Sequence, residues 1–330
     1  MRETTPGQAG PGVAAAVVAV VAWGFGGVLV KLTAMEGLAL SFVRLWLGFL
    51  VMLPVIVLAR RRLTWEVLRR SALGGLFLGS DVTLFFSSLK LTSVADVTLI
   101  GALQPALVLL VAGPWFGERV GVREVGWTLA SVAGTAVVIA GAAGTPAWSP
   151  LGDLLAVGAL FAFTGYFLVT KQARQTVDTL EYMTGVMLVA ALVATPLALA
   201  SGQDLRPARA VDWLWLAVFV LVPGAGGHAL MSWAQRYVDV SVTSVLIVGM
   251  PVVAAVAALV FLGEPLTVPQ VLGGLVTLVA ISAIVRRPTG PATRPIPLAD
   301  AGADPAAPAV TTPTPASPAV PRDAPGHRMR

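Results

Sequence analysis

Ten apolar runs, each close to the length of a membrane-spanning helix, constrain this chain more than any other feature. A transmembrane helix needs about 20 consecutive, mainly apolar residues. The first run carries no charged residue from Val13 to Val30. It is too long and too poorly flanked for a cleaved signal peptide, so we expect it to be retained. The runs cover residues 12–31, 38–58, 72–91, 95–116, 125–143, 151–171, 182–200, 212–234, 241–262 and 268–285, with boundaries good to a few residues.

These runs predict an all-α integral membrane protein with ten transmembrane helices. They are continuously apolar and lack the alternation that a transmembrane β-barrel requires. Only 12% of the residues are charged, whereas a soluble domain carries roughly 25%. So few charges cannot cover a water-facing surface, and the short loops make successive helices antiparallel neighbours.

Composition also excludes several kinds of chemistry. The chain has no cysteine, which rules out disulfides, thiolate metal sites and cysteine nucleophiles. No nucleotide-binding loop of the Walker type occurs, so direct ATP hydrolysis is not expected. The basic residues lie between apolar runs instead of in one patch, which argues against nucleic-acid binding. We therefore expect no catalytic residues, no cofactor and no metal.

The loop charges predict the orientation of the helices. Cytoplasmic loops of membrane proteins carry an excess of arginine and lysine. With the N-terminus in the cytoplasm, most of the loop arginines fall on the inside, including the run Arg60, Arg61 and Arg62. Both termini are then cytoplasmic, and arginine far outnumbers lysine, as in a GC-rich bacterial genome. The sequence thus predicts a multi-pass protein of the bacterial inner (cell) membrane.

The second half of the chain repeats the first. The same residue types recur at a shift of 146 positions, and near the start of each half at a shift of 140. Each unit holds five helices, and an odd number predicts that the second copy is inverted in the membrane, as in many secondary transporters. A duplicated membrane scaffold without transport is the alternative. The matched pairs are Lys90 with Arg236, Pro105 with Pro251, Glu118 with Glu264, Trp23 with Phe163, and Lys31 with Lys171.

Four segments follow from this repeat. Residues 1–11 form an N-terminal cytoplasmic segment, residues 12–143 the first five-helix unit and residues 151–287 the second, inverted unit. Residues 288–330 are rich in proline, alanine and threonine and have no periodic apolar face. Such a segment cannot bury enough surface to offset its chain entropy. We predict a disordered cytoplasmic tail.

An ordered set of short motifs over about residues 12–287 resembles the drug/metabolite transporter superfamily, specifically its ten-helix branch with paired EamA-type domains. The resemblance implies a 5+5 inverted fold, a central cavity, and export or uptake of small metabolites. The four-helix drug antiporters of this superfamily use an acidic residue in their first helix, which is absent here. The motifs are Ala22-Trp23-Gly24 leading to Lys31, Phe42-Val43-Arg44, Leu89-Lys90-Leu91-Thr92-Ser93, Gln104-Pro105, Gly117-Glu118-Arg119, Met250-Pro251 and Gly263-Glu264-Pro265-Leu266-Thr267.

Three ionisable residues lie inside apolar runs and away from the helix ends: Arg44, Asp81 and His228. Such side chains are costly in hydrocarbon and usually face a cavity or a partner. Asp81 suits a proton or a substrate amine, or it is a structural partner of Arg44 or of nearby backbone. Arg44 suits a carboxylate or phosphate, or it reaches the surface or pairs with Asp81 or Glu36. His228 is either a proton relay or a histidine at a helix contact, next to a glycine-rich stretch that favours a kink.

Two prolines predict helix breaks that line the transport pathway. Proline removes a backbone bond and frees the carbonyl four residues earlier. Pro105 frees that of Gly101, and Pro251 that of Ile247. Gln104, beside the first break, is therefore a further candidate for the pathway. The alternative is a plain kink filled by helix packing.

The remaining candidates are aromatic or lie at helix ends. Trp23, Phe163 and Tyr166 are possible flat walls for a ligand, although aromatic residues in membrane helices more often serve packing. Four charged residues near the membrane interface are expected to anchor helices or gate the pathway: Lys31, Lys171, Glu118 and Glu264.

The sequence predicts a secondary transporter that moves a small organic metabolite, such as an amino acid, by alternating access, with proton coupling possible. Export is favoured only by the resemblance. One rival is a membrane-embedded enzyme or a flippase for a lipid carrier, and another is a scaffold that transports nothing. Arginines dominate the longest internal loops, whereas such enzymes usually carry acidic or histidine clusters there.

Overall fold

The computed structural model describes residues 9–92, 94–118, 120–142, 149–263 and 265–286, and the described residues form helices and short connections without any β-strand. The predictions for residue Glu264 and for the tail 288–330 lie outside the described residues. The helices are α1 (Ala9–Gly24), α2 (Gly26–Leu32), α3 (Gly37–Leu58), α4 (Trp65–Leu91), α5 (Val94–Gly101), α6 (Gln104–Phe116), α7 (Val122–Ala142), α8 (Pro150–Ala173), α9 (Thr179–Ala200), α10 (Ala210–Phe219), α11 (Gly227–Ala234), α12 (Val240–Ile247), α13 (Met250–Leu262) and α14 (Val268–Val285), with a π-helical segment Val220–Gly226 between α10 and α11.

The predicted class, an all-α integral membrane protein, is confirmed. Nine helical stretches within the described residues are long and apolar enough to cross a membrane, and the shorter apolar helix Gly10–Gly24 precedes them. The first apolar run differs from the prediction because its helix is interrupted at Phe25. The backbone bond from Leu29 N to Phe25 O persists there at 3.2 Å. The interruption is thus a local bend and the chain runs on through α2.

The side chains are distributed as lipid solvent requires. On α14, Gly273, Thr277 and Ala280 are buried, whereas the larger Leu272 and Val279 are exposed. A soluble helix would bury its large apolar residues and expose its small or polar ones. Small residues at the contacts and large ones outside are typical of helices packed in a membrane.

Three of the spanning stretches are broken in their middle. α5 gives way to α6 just before Pro105, and α12 gives way to α13 just before Pro251. At the second break the amides of Val248 and Gly249 bond three residues back instead of four. The third break is the π-helical segment, where Gly224 has a non-helical ψ of −107°. α5 ends at Gly101 and α12 ends at Ile247, four residues before the respective prolines.

The two halves of the chain, α1–α7 and α8–α14, are packed mainly against each other. α4 lies between α8 and α9, and α11 correspondingly contacts α1 and, through the preceding π-helical segment, α3. The equivalent helices α3 and α9 pack directly together, as do α7 and α14. Each of these contacts therefore either has an equivalent in the other half or joins a helix to its own equivalent. This pattern is expected for a duplicated unit.

Glycines permit the closest of these contacts. A Cβ atom on Gly134 of α7 would lie 2.8 Å from the carbonyl oxygen of Gly273 on α14. A Cβ on Gly79 of α4 would lie 2.8 Å from the carbonyl oxygen of Ala190 on α9. Any larger side chain at these positions would push the backbones apart. These glycines hold the two halves in register around the residues described next.

Candidate functional site

Arg44 of α3 lies between two aromatic rings. Its guanidinium carbon is 5.0 Å from the ring centre of Phe219 on α10 and 5.6 Å from that of Phe86 on α4. An arginine over an aromatic face is stabilised by the negative charge of the ring face. Arg44 is half-buried and makes no ion pair with any described residue. Its planar group is thus oriented, while its charge is not matched by a carboxylate in contact.

Asp81 of α4 is also half-buried. It makes no hydrogen bond or ion pair with the other described residues, although Arg44 is close enough for the two charges to interact. The neighbouring hydroxyl of Thr83 donates to the carbonyl oxygen of Gly79 at 2.7 Å, so it does not serve Asp81. Among the described residues the Asp81 side chain thus makes neither a direct ion pair with Arg44 nor a hydrogen bond to backbone, although the charge of Arg44 acts on it.

His228 and Tyr166 are joined by a hydrogen bond inside the second half. The Tyr166 hydroxyl lies 3.3 Å from His228 Nδ1, and the tautomer of the imidazole decides which atom donates. Both side chains are buried. The His228 ring also packs on Trp23 of α1, with ring centres 4.9 Å apart. His228 is therefore held in place at a contact between the halves.

Trp23 also holds the broken helix. Its indole Nε1 donates to the carbonyl oxygen of Pro223 at 2.8 Å. That carbonyl belongs to the π-helical segment, whose backbone departs from helical geometry at Gly224. The glycine-rich stretch thus produces the kink predicted before His228. Trp23 acts as a brace for this kink, a role that the sequence does not reveal.

Phe163 completes an aromatic group around His228. Its ring lies 6.2 Å from Trp23 in an edge-on contact and 6.2 Å from Tyr166 in a stacked one. The charge of Asp81 acts on Tyr166, and that of Arg44 acts on His228. We call this group the central cluster; its members are Trp23, Arg44, Asp81, Phe163, Tyr166 and His228.

Gln104 is placed differently. It is completely buried at the start of α6, and neither its amide nitrogen nor its amide oxygen has a hydrogen-bond partner. No hydrogen bond connects it to the central cluster. At the equivalent break in the second half, the Val248 carbonyl accepts a bond from the Thr135 hydroxyl at 3.0 Å. The bond from Thr135 of the first half thus reaches the carbonyl next to that of Ile247, which Pro251 is expected to free.

A second group of polar contacts lies at the end of the bundle for which the loop charges predict a cytoplasmic location. Arg61, between α3 and α4, pairs with Asp178 at 3.2 Å, and Asp178 also pairs with Arg236 at 3.3 Å. Glu118 accepts from the backbone of α12. The first contact and the last join the two halves. The Asp178 pairs are largely exposed and contribute only about 0–1 kcal/mol each.

Sequence analysis missed two partners of Arg44. Phe86 and Phe219 are aromatic residues in apolar runs, and nothing in their local sequence distinguishes them. The motif Phe42-Val43-Arg44 marks the arginine alone. No group of three His, Asp or Glu side chains within the described residues could hold a metal ion.

Comparison with known proteins places two regions of this chain in one family. The model of the EamA-like transporter family matches residues 10–140 and again residues 150–286. An uncharacterized transporter of Archaeoglobus fulgidus is 25% identical over 271 residues, 82% of this chain and 94% of that protein. An uncharacterized transporter of Bacillus subtilis, YvbV, is 27% identical over 248 residues, 72% of this chain and 76% of that protein.

Two further matches concern a named exporter and a fold. The aromatic amino acid exporter YddG of Ancylobacter novellus is 29% identical over 192 residues, which cover 57% of this chain and 65% of the exporter. A protein of known crystal structure superposes with a TM-score of 0.74 at 19% identity, covering 83% of this chain and 96% of its own. At that identity the likeness concerns the fold alone.

Proposed function

Because the chain belongs to the EamA-like transporter family, we propose that it is a secondary transporter moving a small organic metabolite across the bacterial cell membrane by alternating access, with export favoured. One observation carries the proposal. Arg44 and Asp81, half-buried within membrane-spanning helices, carry opposite charges that no other described side chain neutralises by direct contact. An ionisable residue inside a membrane helix is costly and by default indicates a substrate or ion pathway.

The central cluster suits a zwitterion such as an amino acid. Arg44 presents a planar donor group for a carboxylate, and Asp81 presents an acceptor for an ammonium group. The rings of Trp23, Phe163 and Tyr166 offer apolar surface beside both charges. The similarity to a named aromatic amino acid exporter supports both the cargo class and the direction.

Alternating access needs two units that move against each other. The recurrent pairing of helices between the halves supports two repeats related by a two-fold axis. With five spanning stretches in each half, such repeats are inverted in the membrane and enclose the site between them. The breaks at Pro105, Pro251 and Gly224 supply points where a spanning stretch can bend without unfolding.

Proton coupling would use the same residues. Asp81 lies near Tyr166, which is bonded to His228. A carboxylate that has no charged partner in a low-dielectric site binds a proton or a cation instead. The proposal is that Asp81 binds the proton or the substrate amine, and that His228 is held in position to receive a proton in turn.

A transport assay in liposomes tests the proposal. Purified protein is scored for flux of labelled amino acids and related metabolites, with and without a pH gradient. We expect flux of at least one class, and its loss or uncoupling from the gradient in Asp81→Asn. Glu66→Gln is the matched control, because Glu66 pairs with Arg70 on the exposed face of the same helix at 2.5 Å.

Three results would contradict the proposal. Absence of flux for the whole panel together with turnover of a lipid substrate would favour an enzyme or flippase. Absence of both activities would favour a scaffold. Normal flux and normal pH dependence in Asp81→Asn, with correct membrane insertion, would remove Asp81 from the site.

A further inference from the structure

The N-terminus of α12, in the second half of the chain, is capped by a residue of the first half. Glu118, which follows α6 in the first half, accepts hydrogen bonds from the amides of Val240 at 2.7 Å and Ser241 at 3.1 Å. These are the first two amides of α12, which its own turns cannot satisfy. A helix start with such a donor pair is ordinarily capped by the side chain just before it.

That side chain is present but unused. Asp239 is the N-cap residue of α12, with extended backbone and a side chain of a strongly capping type, yet it makes no capping hydrogen bond. Aspartate ranks among the best N-cap residues. An N-cap side chain serves the second or third amide of its helix. The second amide of α12, that of Ser241, is already occupied by Glu118. The two carboxylates therefore compete for the Ser241 amide.

Local structure directs Glu118 to this site. Gly117 closes α6 in the left-handed region, with a φ of 66°, which turns the chain so that Glu118 leaves the helix axis. On the other side Lys171, at the end of α8, donates to the Val238 carbonyl at 2.5 Å. This bond fixes the segment just before α12. The positive charge of Lys171 also attracts Glu118.

We propose that Glu118 and Asp239 exchange as the cap of α12, and that this exchange is the latch between the two halves at this end of the bundle. With Glu118 on the amides, the halves are joined and the end is closed. When Glu118 withdraws, Asp239 takes the Ser241 amide, and α12 remains capped while the halves separate. The helix thus pays no capping penalty on opening.

Charge repulsion makes the exchange exclusive. Glu118 and Asp239 are close enough for their negative charges to oppose each other. The two carboxylates cannot both approach the Ser241 amide without that cost. Each arrangement then has one carboxylate on that amide.

This inference rests on the proposed alternating access only in naming the two states as closed and open. Its test needs no cargo, so its failure is distinguishable from a failure of the transport proposal. The chain contains no cysteine. Single cysteines can therefore be introduced for spin labels without background, at Val122 and Gln175, which are both exposed and lie in different halves at this end.

The test compares distance distributions between these labels in membranes. We expect Glu118→Ala to enlarge the long-distance population and Asp239→Ala to diminish it. Each change in the population ratio should be about fivefold, the usual effect of losing one helix N-cap. Glu118→Gln, which keeps one acceptor oxygen and has no charge, resembles the protonated acid and should not enlarge the long-distance population. Glu66→Gln should leave the distribution unchanged.

Opposite shifts are the signature of exchange. A purely structural Glu118 would give no shift in Asp239→Ala, and a general loosening would move both variants in the same direction. Either result overturns the proposal. If Glu118→Ala fails to fold, Asp239→Ala alone still decides. Exchange predicts a shift towards short distances in that variant, a purely structural Glu118 predicts no shift, and a general loosening predicts the opposite shift.

Discussion

The Trp23 indole nitrogen donates to the Pro223 carbonyl oxygen across 2.8 Å, and this bond ties the first helix to the break in the tenth. The carbonyl lies in the π-helical segment, where the regular backbone pattern is lost. A buried carbonyl without a partner is costly. The indole therefore stabilises a broken helix that would otherwise expose its backbone in the membrane.

Gly227→Ala should disturb the hydrogen bond between the Trp23 indole and the Pro223 carbonyl. A Cβ atom at Gly227 would lie 2.7 Å from the Trp23 indole nitrogen. Forcing a methyl group into such a contact ordinarily costs about 1–3 kcal/mol. We expect a lower melting temperature for the detergent-solubilised protein and weaker transport.

Gly126→Ala is the matched control for this prediction. Gly126 is also helical, and a Cβ there would meet nothing within 4 Å. Alanine at an open helical position is neutral or stabilising, by up to about 1 kcal/mol. Equal melting temperatures for the two variants would show that the Trp23 contact contributes little.

Arg44→Lys keeps the charge in the central cluster but removes the planar group. The Arg44 guanidinium lies over Phe86 and Phe219, and an ammonium group cannot stack on two rings or bind a carboxylate through two parallel bonds. Two such contacts are worth about 0.5–2 kcal/mol each. We expect the transport KM to rise about tenfold or more while folding is retained.

The control is Arg70→Lys, which alters an arginine paired with Glu66 on an exposed helix face. That variant should transport with an unchanged KM. Wild-type kinetics in Arg44→Lys would indicate that Arg44 serves only as a positive charge. Loss of folding in Arg44→Lys alone would indicate a packing role instead.

The spanning helices could be predicted from sequence because hydropathy and proline act locally. Pro105 and Pro251 each remove a backbone donor, and the helices break beside them. Arg44 and Asp81 were found because a charge contrasts with an apolar run. In each case the signal lies within a few residues of the feature it predicts.

The rest depends on partners distant in sequence. Phe86 and Phe219 flank Arg44 only after α3, α4 and α10 pack together. The motif Gly117-Glu118 indicates a helix end, but nothing in it names the amides of α12. The interruption at Phe25 was missed because the first run is uniformly apolar through that point. The sequence of an apolar run does not show which neighbouring helix it contacts.

Tyr166→Phe should destabilise the protein without altering its shape. The change removes the hydroxyl that lies 3.3 Å from His228 Nδ1 and leaves that buried nitrogen without a described partner. An unsatisfied buried polar group costs about 1–3 kcal/mol. We expect a lower melting temperature and an altered pH profile of transport.

Tyr237→Phe provides the comparison. The Tyr237 ring packs on Trp233 at 4.9 Å, and its hydroxyl makes no hydrogen bond with another described residue. It should therefore melt as wild type does. If both tyrosine variants melted alike, the contact between Tyr166 and His228 would be too weak to position the histidine.

The closed latch should gain population as the pH falls. Burial beside α12, and next the negative charge of Asp239, raise the pKa of Glu118 above its ordinary value, although Lys171 and the bonds from Ser241 and Val240 oppose the shift. In an open state Glu118 would face water, with a pKa near the ordinary one. Protonation favours the state in which the pKa is higher, which is the closed state.

The pH window lies between the ordinary pKa of a glutamate and its raised value in the closed state. Below that window the stabilisation is fully present, and it is lost as the pH rises through the raised pKa. The neutral acid still offers a carbonyl oxygen to the Val240 amide, so closure survives protonation. Distances between labels at Val122 and Gln175, followed during acidification, should shift towards the short population. Glu118→Gln should abolish this dependence, because the amide does not titrate. A closed population that falls on acidification, or that shifts equally in Glu118→Gln, would assign the pH response to another group.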